Sequence, residues 1–175
     1  METCYSCGSK LTIIKDQPYK FSESGLNVVL YGITQYECPE CNETYAAIPD
    51  VSKLHRIIGT HICRERTGLL SAEEIKFLRK DLQLKAKELA AIMGVTPATV
   101  SRWENGKKEI SEAHDRLLRS LYMMYATEQS KHIVCEGALN LFMGLPTKRK
   151  TMKQESEISL NPQEWMNEHF MSCEV

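Results

Sequence analysis

Several things that would narrow the function of this chain at once are missing. No apolar stretch approaches the roughly 20 residues needed to span a bilayer. The first residues show no basic segment leading into an apolar run, so the sequence predicts no secretory signal. The expectation is a soluble, cytoplasmic chain with no membrane partner. Neither sign of charge dominates: the formal net charge is −1, and the whole-chain charge names no partner. There is no clustered acid–base set, no phosphate-cradling glycine loop and no metal motif with an open position. The sequence therefore predicts no enzyme and no catalytic residue. No internal repeat is present. The cysteine count is odd, seven, which argues against a fully paired disulfide framework.

What is present begins with the placing of those cysteines. Cys4-Tyr-Ser-Cys7-Gly8 and Cys38-Pro-Glu-Cys41-Asn42 are both C-x-x-C, separated by 30 residues. Two intervening residues let both sulfurs of a tight turn converge on one ion. A small or turn-prone residue after the second cysteine lets backbone N–H groups face the thiolates. Four thiolates favour one tetrahedral Zn²⁺ with every position filled by protein, hence a structural site. An iron–sulfur centre uses the same ligands. Redox dithiols would sit at the start of a helix in a βαβ pattern, and neither pair has one. Between the pairs lie short strand candidates, Leu11–Ile14 and, most strongly, Leu26–Ile33. Such a unit is too small to bury a useful core unaided, and a metal supplies the missing stability. Cys63, near His55 and His61, has nothing that orients it as a nucleophile. Cys135 and Cys173 read as incidental thiols.

The length of 175 residues suits one or two small domains with a tail. The fold class expected is α+β: a small β-rich Cys4 zinc domain, then an all-α helix-turn-helix domain. The divisions are 1–50 for the zinc domain, 51–70 for a helix and linker, 71–125 for the helix-turn-helix domain and 126–175 for a partly helical extension. Asp50 caps a helix over about Val51–Arg64. Residues 65–70 (ERTGLL) read as a linker hinged at Gly68 and open to proteases. Ser71-Ala-Glu-Glu74 is a capping box, and Ile75, Leu78 and Leu82 follow as an apolar stripe. A second helix carries Leu89, Ile92 and Met93 to Gly94. A third starts at Thr96 and Pro97 and ends before Gly106, and Ser111 caps a fourth with Leu117, Leu118, Leu121 and Tyr122 facing inward. Helix is expected to persist to about Met143. A basic run (Lys148, Arg149, Lys150, Lys153) and a short stretch around Trp165 and Phe170 follow.

The middle of this domain spells a helix-turn-helix. Gly94 ends the first helix with positive φ, Val95 fills the turn, and Val100 and Trp103 pack on Leu89 and Ile92. Ala98, Thr99, Ser101, Arg102 and Asn105 are left toward solvent or DNA. Ala98 and Thr99 suit a thymine methyl, and Arg102 can make two hydrogen bonds to guanine. Ser101, Lys107 and Lys108 suit phosphates, and Thr96 is counted with the DNA-binding residues. The bland alternative is a four-helix bundle with a solvated polar face, but the string TPATVSRWENG is more specific than spacing alone.

Residues 76–122 resemble the Cro/XRE-type helix-turn-helix family through Leu78-Arg79, Leu89-Ala90, Gly94-Val95 and Ser101-Arg102-Trp103-Glu104-Asn105-Gly106. Residues 1–48 resemble the YgiT-type zinc domain. The residues that carry this are the two C-x-x-C pairs, Ile14-Lys15-Asp16-Gln17-Pro18-Tyr19-Lys20-Phe21 and the strand Val29–Ile33. The two modules in this order resemble the MqsA (YgiT) antitoxin family. That resemblance implies a small RNA-cleaving toxin as partner, bound by the zinc domain, and a homodimer that represses its operon through a palindrome. The family's recognition-helix arginine matches Arg102. Its base-reading asparagine falls at Ala98, which implies a different operator. The usual Thr-Gln of the wider family is Lys85-Ala86 here, so Lys85 or Lys87 is the expected substitute for that phosphate contact.

Charge is distributed in keeping with this division. Residues 1–50 carry three lysines against seven acids, a net −4, while residues 51–70 carry +3, residues 71–125 carry +2 and residues 126–175 carry −2. Double-stranded DNA should meet the basic middle. An acidic zinc domain suits a basic ribonuclease and disfavours RNA. Strand Leu26–Ile33 offers an edge for main-chain pairing with that toxin. Leu117, Leu121, Tyr122 and Tyr125, extended by Ile133 and Leu139, are the expected dimer interface. The other reading is a phage or mobile-element transcriptional regulator without a toxin.

Overall fold

The computed structural model describes residues 3–15, 17–130 and 157–161. Five strands come first: β1 (Thr12–Ile14), β2 (Tyr19–Lys20), β3 (Val28–Leu30), β4 (Thr34–Glu37) and β5 (Thr44–Ala47). Five helices follow: α1 (Val51–Glu65), α2 (Ala72–Asp81), α3 (Ala86–Ile92), α4 (Pro97–Glu104) and α5 (Glu112–Ser130). A last strand, β6 (Ile158–Leu160), lies far down the chain. The expected α+β class is what the molecule has. The helix expected past α5, the basic run Lys148–Lys153 and the Trp165–Phe170 stretch lie outside the described residues.

The strands form two separate three-stranded sheets, ordered β1-β4-β5 and β2-β3-β6. The first is wholly antiparallel, and its β4–β5 hairpin pairs Thr34 with Ala47 and Glu37 with Thr44. In the second, β2 runs antiparallel to β3 and β6 runs parallel to it, Val28 facing Ile158 and Leu30 facing Leu160. The strand expected over Leu26–Ile33 is thus shorter, and the edge expected to be open is occupied by the chain's own tail. Nothing local in the sequence around Ile158 announces this, because the pairing is with residues some 130 positions earlier.

One core runs through most of the molecule. Val28, Leu30, Ile158 and Leu160 from the second sheet join Leu54, Ile57, Ile58 and Ile62 of α1, Ile75 and Leu78 of α2, and Leu118 and Tyr122 of α5. The core is therefore continuous across residues 50 and 70. The first sheet keeps a much smaller cluster of its own, Cys4, Leu11 and Cys38, with Tyr36 and Tyr45 packed against it.

The local signals for the helix starts are realised. The Asp50 carboxylate accepts the Lys53 N–H at 2.8 Å. The Ser71 hydroxyl accepts the Glu74 N–H at 3.2 Å while the Glu74 carboxylate accepts the Ser71 N–H at 2.9 Å. Residues 65–70, expected as a linker hinged at Gly68, are packed instead: Glu65 ends α1 and the rest is held against the core. Leu69 and Leu70 are buried, and the fully buried Arg119 guanidinium donates to the carbonyls of Ile62, Cys63, Arg66 and Gly68 at 2.9–3.0 Å. Asp115 holds that guanidinium from one turn earlier (3.0 Å) and accepts the Leu70 N–H at 2.9 Å. The last carbonyls of a helix have no partner within it. Here a cation at the negative end of the α1 dipole takes them up and fastens the segment to α5. Arg66 adds an ion pair to Glu74 of α2 at 2.9 Å.

The gains and costs of docking β6 are of the same order. Burying Ile158 and Leu160 contributes about 1.5–3 kcal/mol each. The backbone hydrogen bonds at the two ends of the β3–β6 ladder, from Ile158 N–H to Asn27 O and from Tyr31 N–H to Leu160 O, contribute about 1 kcal/mol each, and the bonds within the ladder add to them. Fixing the backbone of a five-residue segment costs about 1–2 kcal/mol per residue.

Candidate metal centre and nucleic-acid interface

The two C-x-x-C turns are near copies of each other. In the first, the Cys4 carbonyl accepts the Gly8 N–H (2.9 Å) and the Cys4 N–H donates to Ser9 (2.8 Å); in the second, Cys38 does the same with Asn42 and Glu43, both at 2.9 Å. Gly8 and Asn42 occupy equivalent places with φ of 76° and 58°. That is the left-handed region, where glycine and asparagine are the least strained residues, and it explains why those residues follow the second cysteine of each pair. The β4–β5 hairpin presents one turn and the Thr3–Lys10 bridge closes the other.

The four sulfurs converge: the ligand atoms of Cys4, Cys7, Cys38 and Cys41 all lie within 4.8 Å of one another. Cys4 and Cys41 are 3.5 Å apart, and Cys7 and Cys38 3.4 Å. Tetrahedral zinc with bonds of about 2.3 Å requires sulfurs about 3.8 Å apart, so the cluster fits zinc with small adjustments. Cys4 and Cys38 are buried and Cys7 and Cys41 exposed. The Tyr45 hydroxyl, 3.3 Å from the Cys4 sulfur, brings that thiol down to about 6, aided by the Cys7 and Ser6 backbone against the opposing effect of burial. Ser9, by side chain and backbone, lowers Cys7. Cys41 is pulled down by the Glu43 backbone, but burial and the three neighbouring thiols together push it up to about 12. Four thiolates this close repel one another, and a dication is what lets all four ionise together. The site is a structural zinc centre: zinc bound here cross-links the two turns and stabilises a sheet whose own cluster is only a few side chains.

The helix-turn-helix is built by α3, the turn at Gly94 (φ 66°) and α4. Val95 N–H returns to Ala90 O at 2.9 Å, and the Thr96 hydroxyl accepts the Thr99 N–H at 3.2 Å with Pro97 in the first turn. Leu89, Met93, Val100 and Trp103 are buried. Ile92, expected beneath Val100 and Trp103, is instead 48% exposed and Met93 takes the inner place. A contact not anticipated fixes α4: the Arg79 guanidinium grips the Glu104 carboxylate with two nitrogens and donates a third bond to Leu84 O at 2.8 Å. Arg79 and Glu104 both stand in the motif strings, but only their approach across 25 residues gives them a role.

Of the residues expected at DNA, Lys85, Lys87, Thr96, Ala98, Ser101, Arg102, Asn105 and Lys107 are exposed and Thr99 is half-buried. Asn105 is spent on the helix itself, its Nδ2 donating to Ser101 O at 2.7 Å. Lys85 stands at the cap of α3 but has no acceptor to offer it; its N–H is taken by Glu88 at 2.7 Å. The loop after Gly106 folds over the end of α4, with the Lys107 N–H bonded to Arg102 O at 2.9 Å. Lys85, Lys87, Arg102, Lys107 and Lys108 thus stand exposed around one helix-turn-helix. Cys63 lies buried, and burial pushes its thiol well up, which leaves it inert. No helix among the described residues is long and apolar enough to cross a membrane.

No curated protein matches the sequence. A family model does, over residues 1–124: MqsA, the antitoxin component of a bacterial toxin-antitoxin system. That span takes in both C-x-x-C turns, the whole helix-turn-helix and most of α5, and with a zinc cluster and helix-turn-helix in that order the chain belongs to the MqsA antitoxin family.

Proposed function

We propose that this chain neutralises an RNA-cleaving toxin through its N-terminal zinc-bearing unit and represses its own operon as a homodimer, each helix-turn-helix reading one half of an inverted repeat. The observation that carries the DNA reading is Arg102, exposed on a helix clamped by Arg79 and Glu104 and without a partner among the described residues. Two recognition helices related by a twofold axis read half-sites one helical turn apart or a multiple of it. The face of α5 supports the dimer: Leu117 and Met124 are 43% and 60% exposed, beside half-buried Leu121 and Tyr125. Tyr122, expected in that interface, is fully buried in its own subunit and donates to Asp81. Ile133 and Leu139 lie outside the described residues.

For the toxin, the support is family membership and charge. Glu37, Glu40 and Glu43 are exposed around the second cysteine turn and suit a basic partner. Because the core is continuous, separate fragments are poor tools, and the test uses the full chain. Arg102→Ala should cost roughly 1–3 kcal/mol of operator discrimination and leave toxin co-purification intact. Glu37→Lys with Glu40→Lys and Glu43→Lys should do the reverse. If Arg102→Ala weakens operator and random DNA equally, the base-reading role is wrong. If no protein encoded beside this gene co-purifies while operator binding persists, the chain is a regulator without a toxin.

A further inference from the structure

The family match ends at residue 124 and so includes β2 and β3 but not β6. Within the matched part, β3 would pair with β2 on one side and leave the other edge bare. A bare edge is a row of unpaired backbone groups, ready to take an added strand. In this chain Ile158–Leu160 takes it. The Ile158 N–H donates to Asn27 O at 2.9 Å and the Tyr31 N–H to Leu160 O at 2.8 Å. Ile158 and Leu160 enter the core while Ser159 is exposed. The edge therefore accepts an extended segment, parallel to β3, with apolar side chains at two alternate positions. The occupant is three residues long, and the gains and costs of docking it are of the same order.

We propose that residues 157–161 are a built-in competitor for the toxin: they close the β3 edge in the free antitoxin, and an extended segment of the toxin with the same apolar alternation displaces them. The proposal rests on the reading that the N-terminal unit carries the toxin site. In the free protein the tail keeps a reactive edge from pairing with other chains. In the complex the tail is released, so toxin binding is read out at the far end of the sequence.

The test is amide hydrogen exchange on the full chain with and without the toxin encoded beside it. The toxin should abolish protection at Ile158 and preserve it at Tyr31, whose N–H then bonds to the incoming strand. Ile158→Ser with Leu160→Ser frees the edge and should raise toxin affinity, by about tenfold if the edge is closed nine-tenths of the time. Ser159→Asp, on the exposed side, should leave affinity unchanged. Toxin binding with Ile158 still protected, or with equal affinity for wild type and the double variant, overturns the competition and leaves the N-terminal toxin site standing. A toxin that binds neither form overturns both. The exchange measurement on wild type needs no variant to fold.

Discussion

His61, on α1, is half-buried, and burial lowers its pKa from the ordinary value of 6.5, with Arg66 adding to the effect and Glu65 opposing it. The unfolded chain protonates this ring first as pH falls. Between the ordinary value and the lower folded one, the unfolded state holds more protons, so stability is full above about pH 6.5 and declines as pH drops through that window. His61→Gln should flatten this part of the curve in urea melts from pH 7 to 5; an unchanged slope would show that the ring is not responsible. Arg119 makes a different point. An arginine four residues after an aspartate reads as a surface pair on a helix, and in the sequence it attracts no notice. While its Nε donates to Asp115, its two terminal nitrogens reach four carbonyls of a segment more than 50 residues earlier, so its role exists only in the fold.

At the scale of elements, α1 and α5 meet closely at Gly59 and Tyr122. A methyl group on Gly59 would run into the Tyr122 ring, which is fixed by its hydrogen bond to Asp81. Helix propensity alone favours Gly59→Ala by about 1 kcal/mol, whereas overpacking costs about 1–3 kcal/mol. Denaturant unfolding should therefore show net destabilisation; a gain in stability would mean that the two helices can part freely. The zinc sheet should respond separately. Cys38→Ser, or zinc removal, should unprotect the β1-β4-β5 amides while leaving β3 protected, since β3 belongs to the helical core; elemental analysis of the wild type should give one zinc per chain. The elements legible in the sequence were those announced by adjacent residues: both cysteine turns, the Asp50, Ser71 and Thr96 caps, and the Gly94 turn. The packed segment at residues 66–70 and strand β6 were not legible. What orders them lies elsewhere in the chain, and Gly68 and a polar composition look the same in a hinge as in a strap.

For the whole molecule, the proposed dimer rests on the α5 face that carries Leu117 and Met124, both exposed among the described residues. Leu117→Glu with Met124→Glu places charge on exposed apolar positions without touching the core. It should yield a well-folded monomer by light scattering, with operator affinity reduced because only one half-site is held. A dimer that survives this pair of changes would place the interface elsewhere. The parallel pairing of β3 with β6 has a consequence in time. The residues that complete this sheet are made about 130 positions apart, and at roughly 5–20 residues per second the interval is on the order of ten seconds. Throughout it, β3 has been made and its β6 partner has not. On the proposed competition, a toxin translated nearby would meet its antidote in the more receptive form on the ribosome, before β6 has been made.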